Sequence, residues 1–437
     1  MTVLTLLVCL LLACTIAVSR SYVIQPGTWK FRGHPIAYET AKSVKSDGID
    51  SQNADPTPVL LLNGFGVGSF HQHRLIHELL GDDKYVDRPI YCIDYLGQGT
   101  LHEGFSPFFS AFTQSLKISF TGRSWPENCR DGEGECEIGL RYCGSTWVDQ
   151  ICSFIEEVIL PQHPGMTIHL VGNSVGGHLA TFVAASRPDL VKSLSLLNAT
   201  PVWGLNLPGW DGQLPAPWFP KIVGRYLFDR IRDLTTIEQY LKAAYGNRNA
   251  FDTELMQQIR ACTEGPGGHA AFASILWSPP VTIRRNDREV SSFYDALESV
   301  DCDVLLLFGA EDPWCKPAFA KRMLQRLEQR PSGLLSKYVE VAGVGVSGKF
   351  SCIELACCCE ILTIQICSLL LQKHCPNHEA PKATALMLNE WWRAEEKKAL
   401  VEGPFSIRET WGETTLQERA LAEISLSLVD RLAVTFV

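Results

Sequence analysis

A chain of 437 residues with 46% hydrophobic and 20% charged side chains has an ordinary globular composition, and it can bury a core without metals or disulfides. A formal net charge of −9 and the lack of any Lys/Arg block argue against nucleic acid as a partner. The length suits one large α/β domain with insertions as well as it suits several small domains.

In chain order, Met1 to Ser19 carry no charged side chain and run almost continuously apolar from Val3 to Val18, with Arg20 the first basic residue. Residues 1–19 are therefore read as a secretory-type signal peptide. A retained anchor stays open, because no Lys or Arg precedes the apolar run. The sixteen cysteines are unevenly spread. Cys9 and Cys14 lie in the signal and five more crowd between Cys352 and Cys367, whereas Cys129, Cys136 and Cys143 share a Gly- and acid-rich loop where pairing is open to them in an oxidising lumen. No two CxxC pairs occur at finger spacing, so no metal is expected.

Short apolar runs alternate with longer amphipathic segments, the pattern of a mostly parallel central sheet flanked by helices. Strands are expected at Trp29–Phe31, Pro35–Glu39, Val59–Asn63, Ile90–Asp94, Thr167–Gly172, Ser193–Asn198, Val304–Gly309 and Tyr338–Val341. Most are solid apolar runs, as strands covered on both faces should be. Helices are expected at Phe70–Leu80, Trp147–Leu160, Val175–Ser186, Pro317–Leu327 and Lys382–Trp392. Between Gly204 and about Val300, Pro- and Trp-rich loops lead into helical stretches at Tyr226–Tyr245 and Thr253–Ala261, with few strand signals. The chain thus divides into a first core part (20–204), a helical cap (205–299) and a second core part (300–392). An atypical insertion (344–373) interrupts the second part, and an extension (393–437) follows it.

Thr167 to Gly177 reads TIHLVGNSVGG, a buried strand, then Gly-Asn-Ser-Val-Gly, then a helix. This is a nucleophile elbow centred on Ser174. The serine occupies a strained turn, and Gly172 and Gly176 must be small where strand and helix nearly touch. The N–H of Val175, at the helix start, is an expected oxyanion donor. VLLLNGFGVGSF (Val59–Phe70) is a strand followed by a Gly-rich turn, and by position the N–H of Phe65 is the second donor.

The acid should follow the serine, and the base should follow the acid. VLLLFGAEDPW (Val304–Trp314) ends a strand on Glu311 and Asp312, with Asp312 preferred because the Pro313 turn fixes it and Glu311 as alternative. Asp94 precedes the serine and is read as a structural cap of the Gly97/Gly99 turn. Of eleven histidines only His374 and His378 lie beyond Asp312. His374, on a short loop ahead of the last helix, is the expected base. His378 is read as a helix-entry or surface residue. His71, His73 and His178 sit close to the site and either touch substrate or are satisfied structural histidines.

These residues resemble a family, the plant and algal pheophytinases and chlorophyll dephytylases, α/β-hydrolases that remove phytol from chlorophyll-type pigments. The resemblance rests on NGFGVGSFH (Asn63–His71), IDYLGQG (Ile93–Gly99), VGNSVGG (Val171–Gly177), LLNATPVWG (Leu196–Gly204), AAFASILWSPP (Ala270–Pro280), GAEDPW (Gly309–Trp314) and HCPNHEAP (His374–Pro381). It implies an α/β-hydrolase fold with a helical cap and a catalytic Ser174, Asp312 and His374. It also implies a carboxylic-ester hydrolase acting on a phytylated tetrapyrrole, with no metal or organic cofactor. The cap offers Trp203, Trp210, Trp218, Phe219, Phe272 and Trp277 as apolar walls, of which Trp203, Phe272 and Trp277 are the candidate substrate contacts. The same aromatic stripe also suits packing on the core. A general carboxylesterase or lipase is the alternative enzyme. Epoxide hydrolases and dehalogenases carry Asp where this chain has Ser174.

One stretch departs from the family. There, a glycine and the catalytic histidine follow the strand corresponding to KYVEV almost at once, whereas here Val344–Lys373 intervenes between Gly343 and His374. Joining Gly343 to His374 would restore GHCPNHEAP, so the segment is read as intron sequence carried into the gene model. A membrane helix over Ser351–Leu371 is opposed by Glu354 and Glu360, each costing roughly 2.5–3.5 kcal/mol near a bilayer centre. A surface excursion is the third reading. If the insertion displaces His374, a non-catalytic hydrolase-fold binding protein is the alternative of another class. The tail beyond Trp392 either packs on the core or touches a membrane surface. The signal points to the ER and the resemblance to the plastid, which entry through the ER would reconcile; ER lumen or secretion is the alternative.

Overall fold

The computed structural model describes residues 22–43, 57–81, 87–98, 142–203, 226, 229–245, 250–262, 271–272, 278–285, 287–309, 312–331, 333–341 and 374–393. The expected signal, Cys129, Cys136, Trp210, Trp218, Phe219, Trp277, Glu311, the 344–373 insertion and the 394–437 tail lie outside these residues. Eight strands form one sheet in the order β1-β2-β4-β3-β5-β6-β9-β10. Its first two, β1 (Tyr22–Phe31) and β2 (His34–Ser43), make an antiparallel hairpin. Arg32 and Gly33 turn it with positive φ angles of 49° and 86°, the tight two-residue geometry that matches strand twist. Both strands run well beyond the short pieces the sequence suggests. Pro26 does not end β1, because β1 is the sheet's edge and needs no amide on its open side.

β2 pairs antiparallel with β4 (Ile90–Ile93), and from there every pairing is parallel, through β3 (Val59–Leu62), β5 (Ile168–Asn173), β6 (Val191–Leu197), β9 (Asp303–Gly309) and β10 (Ser336–Val341). Alternation along the strands sorts the core into two layers. Leu60, Leu62, Leu194, Leu196, Leu306 and Phe308 face one cluster, and Val59, Leu61, Val171, Leu197, Leu305 and Leu307 face the other. The first layer is covered by α2 (Gly144–Phe154), α3 (Val175–Ser186), α6 (Phe293–Glu298) and α7 (Pro317–Leu327), and the second by α1 (His73–Gly81) and α9 (Pro381–Trp392). Helices α3 and α7 have the bounds read from sequence. The expected Trp147–Leu160 helix is α2 continued by a wide turn over Ile155–Ile159, and Pro161 sits in the short turn that closes it.

The excursion between β6 and β9 holds α4 (Leu234–Ala244) and α5 (Thr253–Cys262). It also holds a short hairpin, β7 (Ile283–Arg285) with β8 (Arg288–Val290), within a segment of few strand signals. Each of its strands has three residues, too short for a period-two pattern to register in sequence. Among the described residues no helix is long and apolar enough to cross a membrane. Cys143 is buried and carries a free thiol, while Cys129 and Cys136, the other two of its loop, lie outside the described residues. In the sheet, Leu62 is level with Gly172 and Leu197 with Leu307. The turns after β3, β5, β6 and β9 therefore leave from one edge, where ligands of open parallel sheets gather.

Candidate active site

Ser174 sits between β5 and α3 with φ 53° and ψ −118°, a conformation costly for any residue with a side chain. The surrounding backbone over-determines it. Its N–H donates to the carbonyl of Leu197, and its own carbonyl accepts from Gly177, His178 and Thr200. A Cβ on Gly172 would run into the carbonyl of Gly176, and one on Gly176 into the carbonyl of Asn63. Only hydrogen fits at either position.

The nucleophile's neighbours are in line. Ser174 Oγ lies 3.1 Å from His374 Nε2, and His374 Nδ1 lies 2.7 Å from Asp312 Oδ2. All three residues are buried. The Asp312 carboxylate accepts on both oxygens. Oδ1 takes the backbone N–H groups of Trp314 (2.8 Å) and Cys315 (3.0 Å), while Oδ2 takes Asn198 Nδ2 beside the histidine. Asn198 has φ 46° just past β6, and its Oδ1 accepts from Gly309 N–H, so it ties the ends of β6 and β9 together. In sequence, Asn198 is marked only by the LLNAT string at the strand end, which carries no sign of its partner Asp312.

His374 is held at both ends of its backbone. Its N–H donates to the carbonyl of Ala244 in α4 (3.0 Å), and its carbonyl accepts from Asn173 Nδ2, beside the nucleophile (3.1 Å). Two backbone bonds from described elements thus anchor His374 beside Ser174. Its ring also meets the edge of Trp314 at 4.8 Å between centroids.

Gly64 packs on the nucleophile, since a Cβ there would stand 3.5 Å from Ser174 Cβ. Phe65 follows it, and Gly66 (φ 77°) bends the loop, giving its N–H to Gln98 Oε1. Val175 is the first residue of α3, whose leading N–H groups have no partner within the helix. An apolar cavity opens over Ser174 and His374, walled by Phe65, Val67, Ile231, Leu241, Ile259 and Phe272. Phe272 meets Phe65 at 6.0 Å between ring centroids. Trp203 is a correction. It is buried between Trp147 and His178, bonded to Ser278, and absent from the cavity wall. Aromatic composition could not say on which side of the elbow the ring would fall.

A family model of the alpha/beta hydrolase family matches residues 59–385. The chain belongs to that family. This hydrolase is 27% identical over 381 residues to Pheophytinase, chloroplastic, of Arabidopsis thaliana, covering 83% of the chain and 67% of the relative. It is 26% identical over 187 residues to 2-hydroxymuconate semialdehyde hydrolase of Pseudomonas sp. (strain CF600), covering 43% of the chain and 58% of that relative. Among solved structures it is similar to a meta-cleavage product hydrolase of Pseudomonas fluorescens, at TM-score 0.47 and 14% identity over 84% of this chain and 98% of the other.

The set Asp312, Cys315 and His374 places one metal-ligating atom from each within 4.8 Å. Two ligand atoms each about 2.0 Å from a tetrahedral ion stand roughly 3.3 Å apart. The 2.7 Å pair of Asp312 and His374 shares a proton instead, so this set does not suit a resident metal in the hydrolase.

The remaining polar residues near the site are structural or line its wall. Asp94 Oδ1 accepts from Ser69 N–H, capping the turn after the Gly-rich loop, while Gly99 of the turn it is expected to cap lies outside the described residues. His73 pairs with Glu39, and His178 is buried against Phe182, Trp203 and Phe293. His71 lines the cavity. His378 is buried inside α8 (Pro376–Glu379), not on the surface.

Burial, the first cause in each case, pushes His71 down to about 3, His178 to about 4 and His378 to about 2. In the unfolded hydrolase each takes a proton near pH 6.5, so the unfolded state binds more protons below that pH. Stability fully present above pH 6.5 is then lost on acidification, by about 1.4 kcal/mol per pH unit for each histidine. Thermal melts between pH 7.5 and 5 are expected to show Tm falling, with a shallower fall in His178→Asn. A Tm flat across that window would contradict the assignment.

Proposed function

We propose that this hydrolase cleaves carboxylic esters through an acyl-enzyme on Ser174, and that its substrate is a phytylated tetrapyrrole of the pheophytin or chlorophyll type. The observation that carries the reading is the line from Ser174 Oγ through His374 to the Asp312 carboxylate at the foot of an apolar cavity. The likeness to a pheophytinase supports the choice of pigment.

In this reading His374 Nε2 takes the Ser174 proton as Oγ attacks the ester carbonyl. Asp312 holds the ring with its proton on Nδ1 and offsets the charge that forms on it. The N–H groups of Phe65 and Val175 receive the negative oxygen. His374 then protonates the departing alcohol, and water activated by the same nitrogen releases the acid. Phe272 and the aliphatic residues of α4 and α5 would surround the apolar substrate. No cofactor takes part in this scheme. A pigment ester resides in membranes, so we place the enzyme in the plastid, in peripheral contact with a lipid surface.

The test is incubation with pheophytin, chlorophyll and short nitrophenyl esters, with release of phytol and of nitrophenol as readouts. Phytol release from a pigment supports the reading. Activity on the short esters alone would leave a general carboxylesterase, and failure of a fluorophosphonate to label Ser174 would leave a binding protein.

A further inference from the structure

Beside the proposed relay lies a buried polar cluster that the scheme above does not use. His71 and His378 stack face to face, with centroids 4.7 Å apart and planes 7° apart. The Tyr245 hydroxyl bridges them, 2.8 Å from His71 Nε2 and 3.1 Å from His378 Nδ1. Asn377 Nδ2 lies 3.3 Å from His71 Nδ1. All four side chains are buried.

Asn377 Nδ2 faces three acceptors, His71 Nδ1 (3.3 Å), the His71 carbonyl (3.3 Å) and Gln72 Oε1 (3.2 Å). One order satisfies the cluster: His71 Nδ1 accepts from the amide and the ring carries its proton on Nε2. That proton goes to the Tyr245 oxygen, and Tyr245 gives its own proton to His378 Nδ1. The order requires both rings neutral, and burial holds both well below the usual histidine range. The members come from three separate places. His71 lies in the Ser69–Gln72 turn after the Gly-rich loop, Tyr245 directly follows α4, and Asn377 and His378 belong to α8. The residue before Tyr245 is Ala244, whose carbonyl accepts the His374 N–H.

We propose that Tyr245 is a positioning residue, whose hydroxyl fixes the end of α4 between His71 and His378 so that Ala244 holds His374 against Ser174. The inference rests on the serine-hydrolase reading but concerns a residue that reading does not need. Losing the hydroxyl frees the end of α4 and lets the base drift, and a misplacement of about 1 Å costs on the order of 10²-fold in rate. Tyr245→Phe keeps the ring that lines the cavity, and the apolar walls Phe65, Val67, Ile259 and Phe272 lie outside α4, so substrate binding should change far less than the rate.

The test compares wild type, Tyr245→Phe, His378→Leu and His378→Gln on para-nitrophenyl butyrate, with melting temperature as the folding control. Tyr245→Phe and His378→Leu are expected to lower kcat by about 10- to 100-fold with KM within about twofold. His378→Gln, whose amide oxygen can accept from Tyr245, should recover most of the loss. A Tyr245→Phe kcat within about twofold of wild type, or equal losses in His378→Leu and His378→Gln, overturns the proposal. Fluorophosphonate labelling of wild type separates the two layers. A labelled wild type with an unaffected Tyr245→Phe sinks this inference alone, and an unlabelled wild type sinks the serine reading together with it.

Discussion

Ser174→Ala is expected to lower kcat by about 10⁵- to 10⁶-fold while leaving a folded protein. The size follows from the arrangement. The oxygen that attacks is the only atom removed, and His374 and Asp312 have no other group to activate at that position. The same residue tests where strain is stored. Ser174 holds φ at 53°, and such a conformation costs of order 1–3 kcal/mol for a residue with a side chain. Ser174→Gly should therefore be as inactive as the alanine variant and yet melt higher, by a few degrees for about 1 kcal/mol. Steady-state rates on a nitrophenyl ester with parallel calorimetry check both halves. Residual activity of Ser174→Ala above about one hundredth of wild type would remove the serine from the chemistry.

Asp312→Asn should cost about 10⁴-fold in kcat. The carboxylate faces donors on both oxygens, Trp314 N–H and Cys315 N–H on one, Asn198 Nδ2 and His374 Nδ1 on the other. An amide must turn its NH₂ toward one of these pairs. Turned toward His374, it donates to Nδ1 and drives the imidazole proton to Nε2, where it points at Ser174 and blocks proton uptake. Turned the other way, it sets donors against two backbone N–H groups and leaves them buried without acceptors, which costs about 1–3 kcal/mol. Activity and melting temperature should fall together, activity by far the more. Asp312→Glu keeps the charge but is too long for the turn held by Trp314 and Cys315, so it should not restore the rate.

The elbow was legible because it is local. Strand, serine and helix are consecutive, and the glycines answer to contacts within a few residues. Helix α7 is legible for the same reason, its apolar periodicity being unbroken between clear ends, and α3 because it starts at the elbow and is apolar almost throughout. The hairpin of β1 and β2 is legible only in part, since an edge strand half open to solvent lacks a solid apolar run. The order Ser174, Asp312, His374 came from chain topology rather than from any local pattern. Partnerships across the fold left no trace in sequence. Asp94 finds Ser69, Asn198 finds Asp312, and Tyr245 finds His378 only once the strands are stacked. Trp203 shows the limit from the other side, because an aromatic ring in a loop suits a substrate wall and a core equally well.

The bond from His374 N–H to Ala244 makes the base depend on a helix that lies outside the central sheet. Peripheral elements open at lower free energy than a core of buried parallel strands. Opening of α4 would release the imidazole while the eight-stranded sheet remained intact. Heating should thus bring a window in which the enzyme is silent but still folded by every measure of its sheet, and cooling from that window should restore the rate without refolding the core.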